Sequence, residues 1–127
     1  MKLKDSSVEM KLHWHLTNFL TTKVNTYYHS LTSELTITSG SELSARHGYT
    51  SLHYALPCCA VDIRNWDIRT LPEIVTGYMQ WVSLKELAER YCASQGLGPN
   101  DIDVVLEKTH IHIEFQVKRP ETRAGRV

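Results

Sequence analysis

At 127 residues the chain has the length of one domain and enough material to enclose a hydrophobic core of its own. Apolar residues make up 42% of it and charged residues 22%, and 14 lysines and arginines balance 14 aspartates and glutamates. That balance argues against the basic surface of a general nucleic-acid binder, and no apolar run reaches the roughly 18 residues of a membrane span. The N-terminus "MKLKDSSVEMKLHWHL" lacks the apolar stretch of a secretory leader, and three cysteines, two of them adjacent, do not form a disulfide framework. The expectation is a monomer made in the cytosol with reduced thiols, with no nucleic-acid partner and no membrane insertion.

Residues 1 to 7 are polar and read as loose. From Val8, apolar residues recur at Leu12, Leu16, Phe19, Val24, Tyr27 and Leu31. This spacing predicts a helix with one buried face, carrying His13 and His15 partly exposed and outside any metal site. "ELTITSG" alternates apolar and polar residues and stops at Gly40, as a short strand does. Residues 41 to 50 read as a loop. "CAVDIRN" reads as a second strand, with Ala60 and Asp62 on one face and Val61 and Ile63 on the other.

A second helix is predicted from Thr70 as N-cap, with Pro72 in its first turn and Glu73 completing a capping box. Ile74, Val75, Tyr78, Val82, Leu87 and Tyr91 continue its apolar pattern, and Gly96, Gly98 and Pro99 end it. "DIDVVLEKTHIHIEFQVK" reads as a strand pair, and the polar residues after Pro120 as a frayed end. The order predicts a small single α+β domain over residues 1–127, an antiparallel sheet flanked by helices.

In "HIHIEFQV", His110, His112, Glu114 and Gln116 share one strand face, while Ile111, Ile113, Phe115 and Val117 share the other. The apolar side must face the core, so the two histidines project away from it. Glu107 has the wrong parity to join them on a continuous strand. A tight turn at Lys108–Thr109, or a bulge, brings Glu107 and His110 to the same side. Hydrolysis by zinc requires three nitrogen or oxygen ligands, an open position for water and a nearby base. His53, Asp62 and one of His110 or His112 can supply the ligands, and Glu107 or the remaining histidine the base.

The stretches "ITSG", "SLH", "AVDI" and "LEKTHIHIE" resemble the zinc D-Ala-D-Ala carboxypeptidases and phage endolysin peptidases, which share a metal-site fold with the signalling domain of Hedgehog proteins. The family pattern is Ser-x-His-x-x-Gly-x-Ala-x-Asp followed much later by a strand carrying His-x-His. Ser51 and His53 match its start, Ala60 and Asp62 its end, and His110 and His112 the strand. The connection from His53 to Asp62 is two residues longer than in that pattern and lacks its glycine, with "ALPCC" in its place. An insertion of this length preserves the parity of Asp62.

The resemblance implies a Hedgehog/DD-peptidase-like fold with His53, Asp62 and His112 as zinc ligands and Glu107 or His110 as catalytic base. It implies a zinc peptidase acting on peptidoglycan stem peptides, reaching the wall as phage-type lysins do. Arg46 and Ser51 are expected on the substrate side, Arg46 as the partner of a substrate carboxylate, with Arg64 able to do the same. Glu114 is expected as an outer or surface group. Cys58, Cys59 and Cys92 are expected to pack as small apolar residues, and Trp66 and Trp81 as packing groups. The alternatives are a non-catalytic zinc-binding module with the same fold and a hydrolase or redox protein centred on Cys58 or Cys59.

Overall fold

The strict alternation of residues 110–115 sets the architecture. In the computed structural model, which describes residues 1–42 and 59–116, Ile111, Ile113 and Phe115 are buried, while His110, His112 and Glu114 are only partly so. These residues form β7 (His110–Phe115), paired on one side with β3 (Ala60–Arg64) and on the other with β6 (Ile102–Leu106), both antiparallel. β2 (Thr36–Ser39) extends the sheet beyond β3, with a register shift between Ile37 and Ser39. With β1 (Lys2–Leu3) at the edge, the sheet order is β1-β2-β3-β7-β6. The described residues thus form an α+β domain with a mostly antiparallel sheet and helices, as the order of elements predicts.

The edge strand β1 (Lys2–Leu3) runs parallel to β2. Lys2 to Lys4, within the segment expected to be loose, are therefore tied to the sheet. Lys2 and Lys4 donate main-chain bonds of 2.8 Å to the carbonyls of Leu35 and Ile37. Strand pairing supplies this order without any apolar signal in the segment.

The apolar face of the sheet packs under helices. α1 (Trp14–Phe19), a π-helical segment (Leu20–Val24) and α2 (Asn25–Ser30) follow one another without a break. Leu16, Phe19, Leu20, Val24 and Tyr28 enter the core, together with Leu84, Ala88 and Tyr91 of α3 (Gly77–Ser94). Thr21 and Thr22 in the wide segment and Thr26 at the start of α2 return their hydroxyls to carbonyls four residues back: Thr21 to Thr17 (2.8 Å), Thr22 to Asn18 (2.7 Å) and Thr26 to Thr22 (3.0 Å). Such back-bonding competes with the regular helical ladder.

The first helix begins at Trp14 rather than at Val8. Residues 8–12 instead lie against the end of β2, where Ser41 N–H donates to the Glu9 carbonyl (2.6 Å) and the Glu42 carboxylate accepts from Glu9 N–H (3.0 Å) and Gly40 N–H (2.8 Å). These long-range bonds satisfy main-chain groups that a helix would otherwise use. Gly40 permits the approach, because a Cβ there would sit 2.1 Å from the Glu9 oxygen. Gly40→Ala is expected to cost about 2 kcal/mol or more through this clash, read as a lower urea midpoint at unchanged slope; an unchanged midpoint would mean that the segment yields freely.

With the helix starting late, His13 becomes its N-cap and its Nδ1 accepts from His15 N–H at 3.1 Å. Both histidines are buried at 8% exposure, contrary to the expected partial exposure. They pack against Phe115, and His15 Nδ1 lies 2.9 Å from the Tyr91 hydroxyl.

The second helix also starts later than expected. Its N-cap is Thr76, whose hydroxyl accepts from Met79 N–H at 3.2 Å, and not Thr70. Residues 68–75 form a hairpin of β4 (Ile68–Arg69) and β5 (Ile74–Val75), closed by Thr70 N–H donating to the Glu73 carbonyl at 2.9 Å. The buried face of α3 is Gln80, Leu84, Ala88, Tyr91 and Cys92, while Tyr78 and Val82 are exposed. An apolar count misses this face because it is led by a glutamine. Gln80 is fully buried and satisfied by the Tyr28 hydroxyl (2.7 Å) and the Trp66 carbonyl (2.9 Å). The expected stop holds: Gly96, at φ +69°, follows the C-cap, and Leu97 N–H bonds the Cys92 carbonyl at 2.9 Å.

Trp81 packs as expected, its indole N–H donating to the Val104 carbonyl on the edge strand at 2.9 Å. Trp66 does not: it is 66% exposed. Cys59 and Cys92 are buried in the core. Among the described residues no helix is long and apolar enough to cross a membrane.

Candidate metal centre

Strand register brings the polar residues together. β3 and β7 pair Asp62 with His112 and Arg64 with His110, on the face opposite the helices. Asp62 is only 8% exposed, since β3 is buried on both faces from Ala60 to Ile63. His112 Nδ1–H donates to Asp62 Oδ1 at 2.7 Å, and His112 Nε2–H donates to Glu114 Oε1 at 2.6 Å. Gln116 Nε2 donates to the other Glu114 oxygen at 2.6 Å. The Asp62 main-chain oxygen accepts from the Thr38 hydroxyl at 3.2 Å, which ties β2 to the same point.

Both ring nitrogens of His112 therefore face carboxylates. Burial pulls its pKa down, but the hydrogen bonds and charges of Asp62 and Glu114 outweigh burial and raise it to about 9. At neutral pH the ring is an imidazolium held between two carboxylates. His110 stands at the margin of this chain: its Nε2 is 3.6 Å from Asp62 Oδ1, beyond hydrogen-bond reach, and its Nδ1 lies 3.1 Å from the Thr109 hydroxyl.

Glu107, Lys108 and Thr109 connect β6 to β7, and Glu107 N–H donates to the His110 carbonyl at 2.9 Å. Glu107 is thus the cross-strand neighbour of His110 and is exposed at the hairpin end. Asp62 and His112 pair inside β3 and β7, and His110 and Glu107 stand beyond them at the hairpin end. His53, Ser51 and Arg46, along with Cys58, lie outside the described residues. Glu114, expected as an outer or surface group, contacts His112 directly, as an outer carboxylate on a candidate ligand does. Its position two residues beyond His112 on one strand face was the available signal.

Among the described residues no group of three histidines, cysteines, aspartates or glutamates is arranged to hold a metal. Asp62 and His112 do supply a carboxylate and an imidazole directed at each other across 2.7 Å. Two ligands of one tetrahedral zinc stand about 3.3 Å apart, so the shared proton would leave and the gap would open slightly. Glu114 on the far nitrogen is the outer carboxylate that commonly orients a ligating imidazole. The donors present fit two positions of a zinc site. No protein-family model, curated protein or solved structure matches the chain.

Proposed function

We propose that the chain is a zinc-dependent peptidase that hydrolyses peptidoglycan stem peptides, with a Hedgehog/DD-peptidase-like fold. The observation that supports this best is the Asp62–His112 contact, which joins residues fifty apart in sequence that the resemblance assigns to the metal, with Glu114 holding the far nitrogen. The substrate class, and action at the cell wall, come from the resemblance.

Asp62 and His112 would hold zinc with His53 as the third ligand. A bound zinc supplies an acidified water and a positive charge at the peptide carbonyl. Glu114 keeps the His112 imidazole in one orientation. Glu107 or His110, side by side at the hairpin end, takes the proton of the attacking water and passes it to the leaving amine. The resemblance assigns Arg46 and Ser51 to the substrate side, where a guanidinium would pair with a carboxylate of the peptide.

Zinc content measured beside amine release from stem peptides tests this. Wild type should carry about one zinc per chain, and His53→Ala and His112→Ala should lose both metal and release. A folded wild type that takes up no zinc when it is supplied would sink the proposal. The longer His53–Asp62 connection favours one alternative, a non-catalytic zinc-binding module with the same fold. Stoichiometric zinc with no hydrolysis of any stem peptide would select it.

A further inference from the structure

We infer that the cavity at the hairpin end of the sheet is a binding site for pyranose rings, occupied in function by the glycan strand that carries the stem peptide. The glycan as occupant rests on the peptidase reading; the sugar chemistry rests on the cavity itself. The cavity is a shallow depression, widely open to solvent, bounded by the chain after β3, the end of β6 with Lys108, and the start of α3. Two aromatic side chains line it with most of their surface in water, Trp66 at 66% and Tyr78 at 61% exposure. Asn65, Asp67, Glu107 and Lys108 complete the polar lining.

Trp66 is exposed but not loosely held. The Arg64 guanidinium lies 3.8 Å from its ring centroid and braces one face. Its carbonyl accepts from the buried Gln80 amide at 2.9 Å, and the Tyr28 hydroxyl fixes Gln80 at 2.7 Å. Beside it, the Asn65 amide donates to the Glu107 carbonyl at 3.4 Å, and α3 approaches so closely that a Cβ on Gly77 would sit 2.8 Å from the Asn65 oxygen. The ring is therefore positioned before any ligand arrives, which lowers the entropic cost of binding.

A pyranose presents a flat face of C–H bonds and a rim of hydroxyls. The two rings match the face, Asp67 and Glu107 accept from hydroxyls, and Asn65 and Lys108 donate to ring or acetamido oxygens. A purely apolar occupant would strip water from both carboxylates without replacing it, which is costly. The cavity reaches the candidate centre through Glu107, since Asp62, His110 and His112 do not line it. Glu107 lines it and bonds through its main chain to His110, whose Nε2 is 3.6 Å from Asp62.

The test is an NMR titration of chelator-treated, full-length protein with the β-1,4-linked tetramer of N-acetylglucosamine. Saturable shifts should centre on Trp66, Tyr78 and Lys108, with binding in the millimolar range, and Trp66→Ala and Tyr78→Ala should each bind about tenfold more weakly or worse. Both side chains are exposed, so the variants should keep the wild-type melting temperature. Absent shifts, undiminished binding by both variants, or shifts from a sugar-free pentapeptide at the same rings would each overturn the sugar site. The titration involves neither metal nor hydrolysis. Sugar binding without stem-peptide hydrolysis would sink the peptidase reading and its glycan occupant alone, and hydrolysis without sugar binding the sugar site alone.

Discussion

Asp62→Ala should lower the stability of the metal-free protein by about 3 kcal/mol and abolish zinc uptake. Asp62 is 8% exposed, and its Oδ1 accepts from the His112 imidazolium at 2.7 Å. Alanine at this position leaves a half-satisfied ring in a buried site, because Glu114 then neutralises His112 from one side only. Breaking a buried ion pair from one side costs about 3–5 kcal/mol in general. The ring can shed its proton once its partner is gone, which places the expected loss at the lower end. Asp62→Asn separates charge from shape: it keeps an acceptor oxygen, so it should lose less stability while still losing the metal. Urea unfolding of the three metal-free proteins, with zinc titrations alongside, checks both parts. A loss under about 1 kcal/mol would place the pair among solvent-screened contacts of little worth.

The residues of this centre were legible in the sequence, whereas their contacts were not. Period-two alternation in "HIHIEF" put His110, His112 and Glu114 on one face, and "CAVDIRN" put Asp62 on the polar face of its own strand. That β3 pairs with β7 so that Asp62 meets His112 is a long-range register, which neither strand encodes alone. The missed boundaries have the same origin. Thr70 and Thr76 are both competent caps, and the pairing of Ile68 with Val75 decides between them. Val8 to Leu12 carry helical spacing, but Ser41 and Glu42 claim their main chain from across the sequence. Gln80 was invisible as a core residue because burial of an amide depends on a distant tyrosine and a tryptophan carbonyl. Trp66 was misread for the opposite reason, since an aromatic residue normally signals burial and here stands in water.

Metal-free protein should lose roughly 2–3 kcal/mol of stability between about pH 6.5 and pH 9. The pKa of folded His112 is about 9 against an ordinary 6.5, a raised value. The stabilisation from holding its proton is therefore complete below the unfolded pKa and lost as pH rises through the folded one. The carboxylates of Asp62 and Glu114 cause the shift, so His112→Gln should flatten the profile across this window. Zinc reverses the dependence, because a ligating imidazole cannot keep its second proton. Zinc uptake at pH 7 should release about one proton from His112, and affinity should climb by roughly a factor of ten per pH unit up to pH 9 before levelling off. Calorimetry of zinc binding in two buffers of different ionisation enthalpy measures that proton directly. Heats independent of buffer at pH 7 would mean that His112 keeps its place between the two carboxylates and that the metal, if bound, sits elsewhere. A released proton, together with a pH profile flattened by His112→Gln, would identify the imidazole between Asp62 and Glu114 as the group that exchanges a proton for zinc.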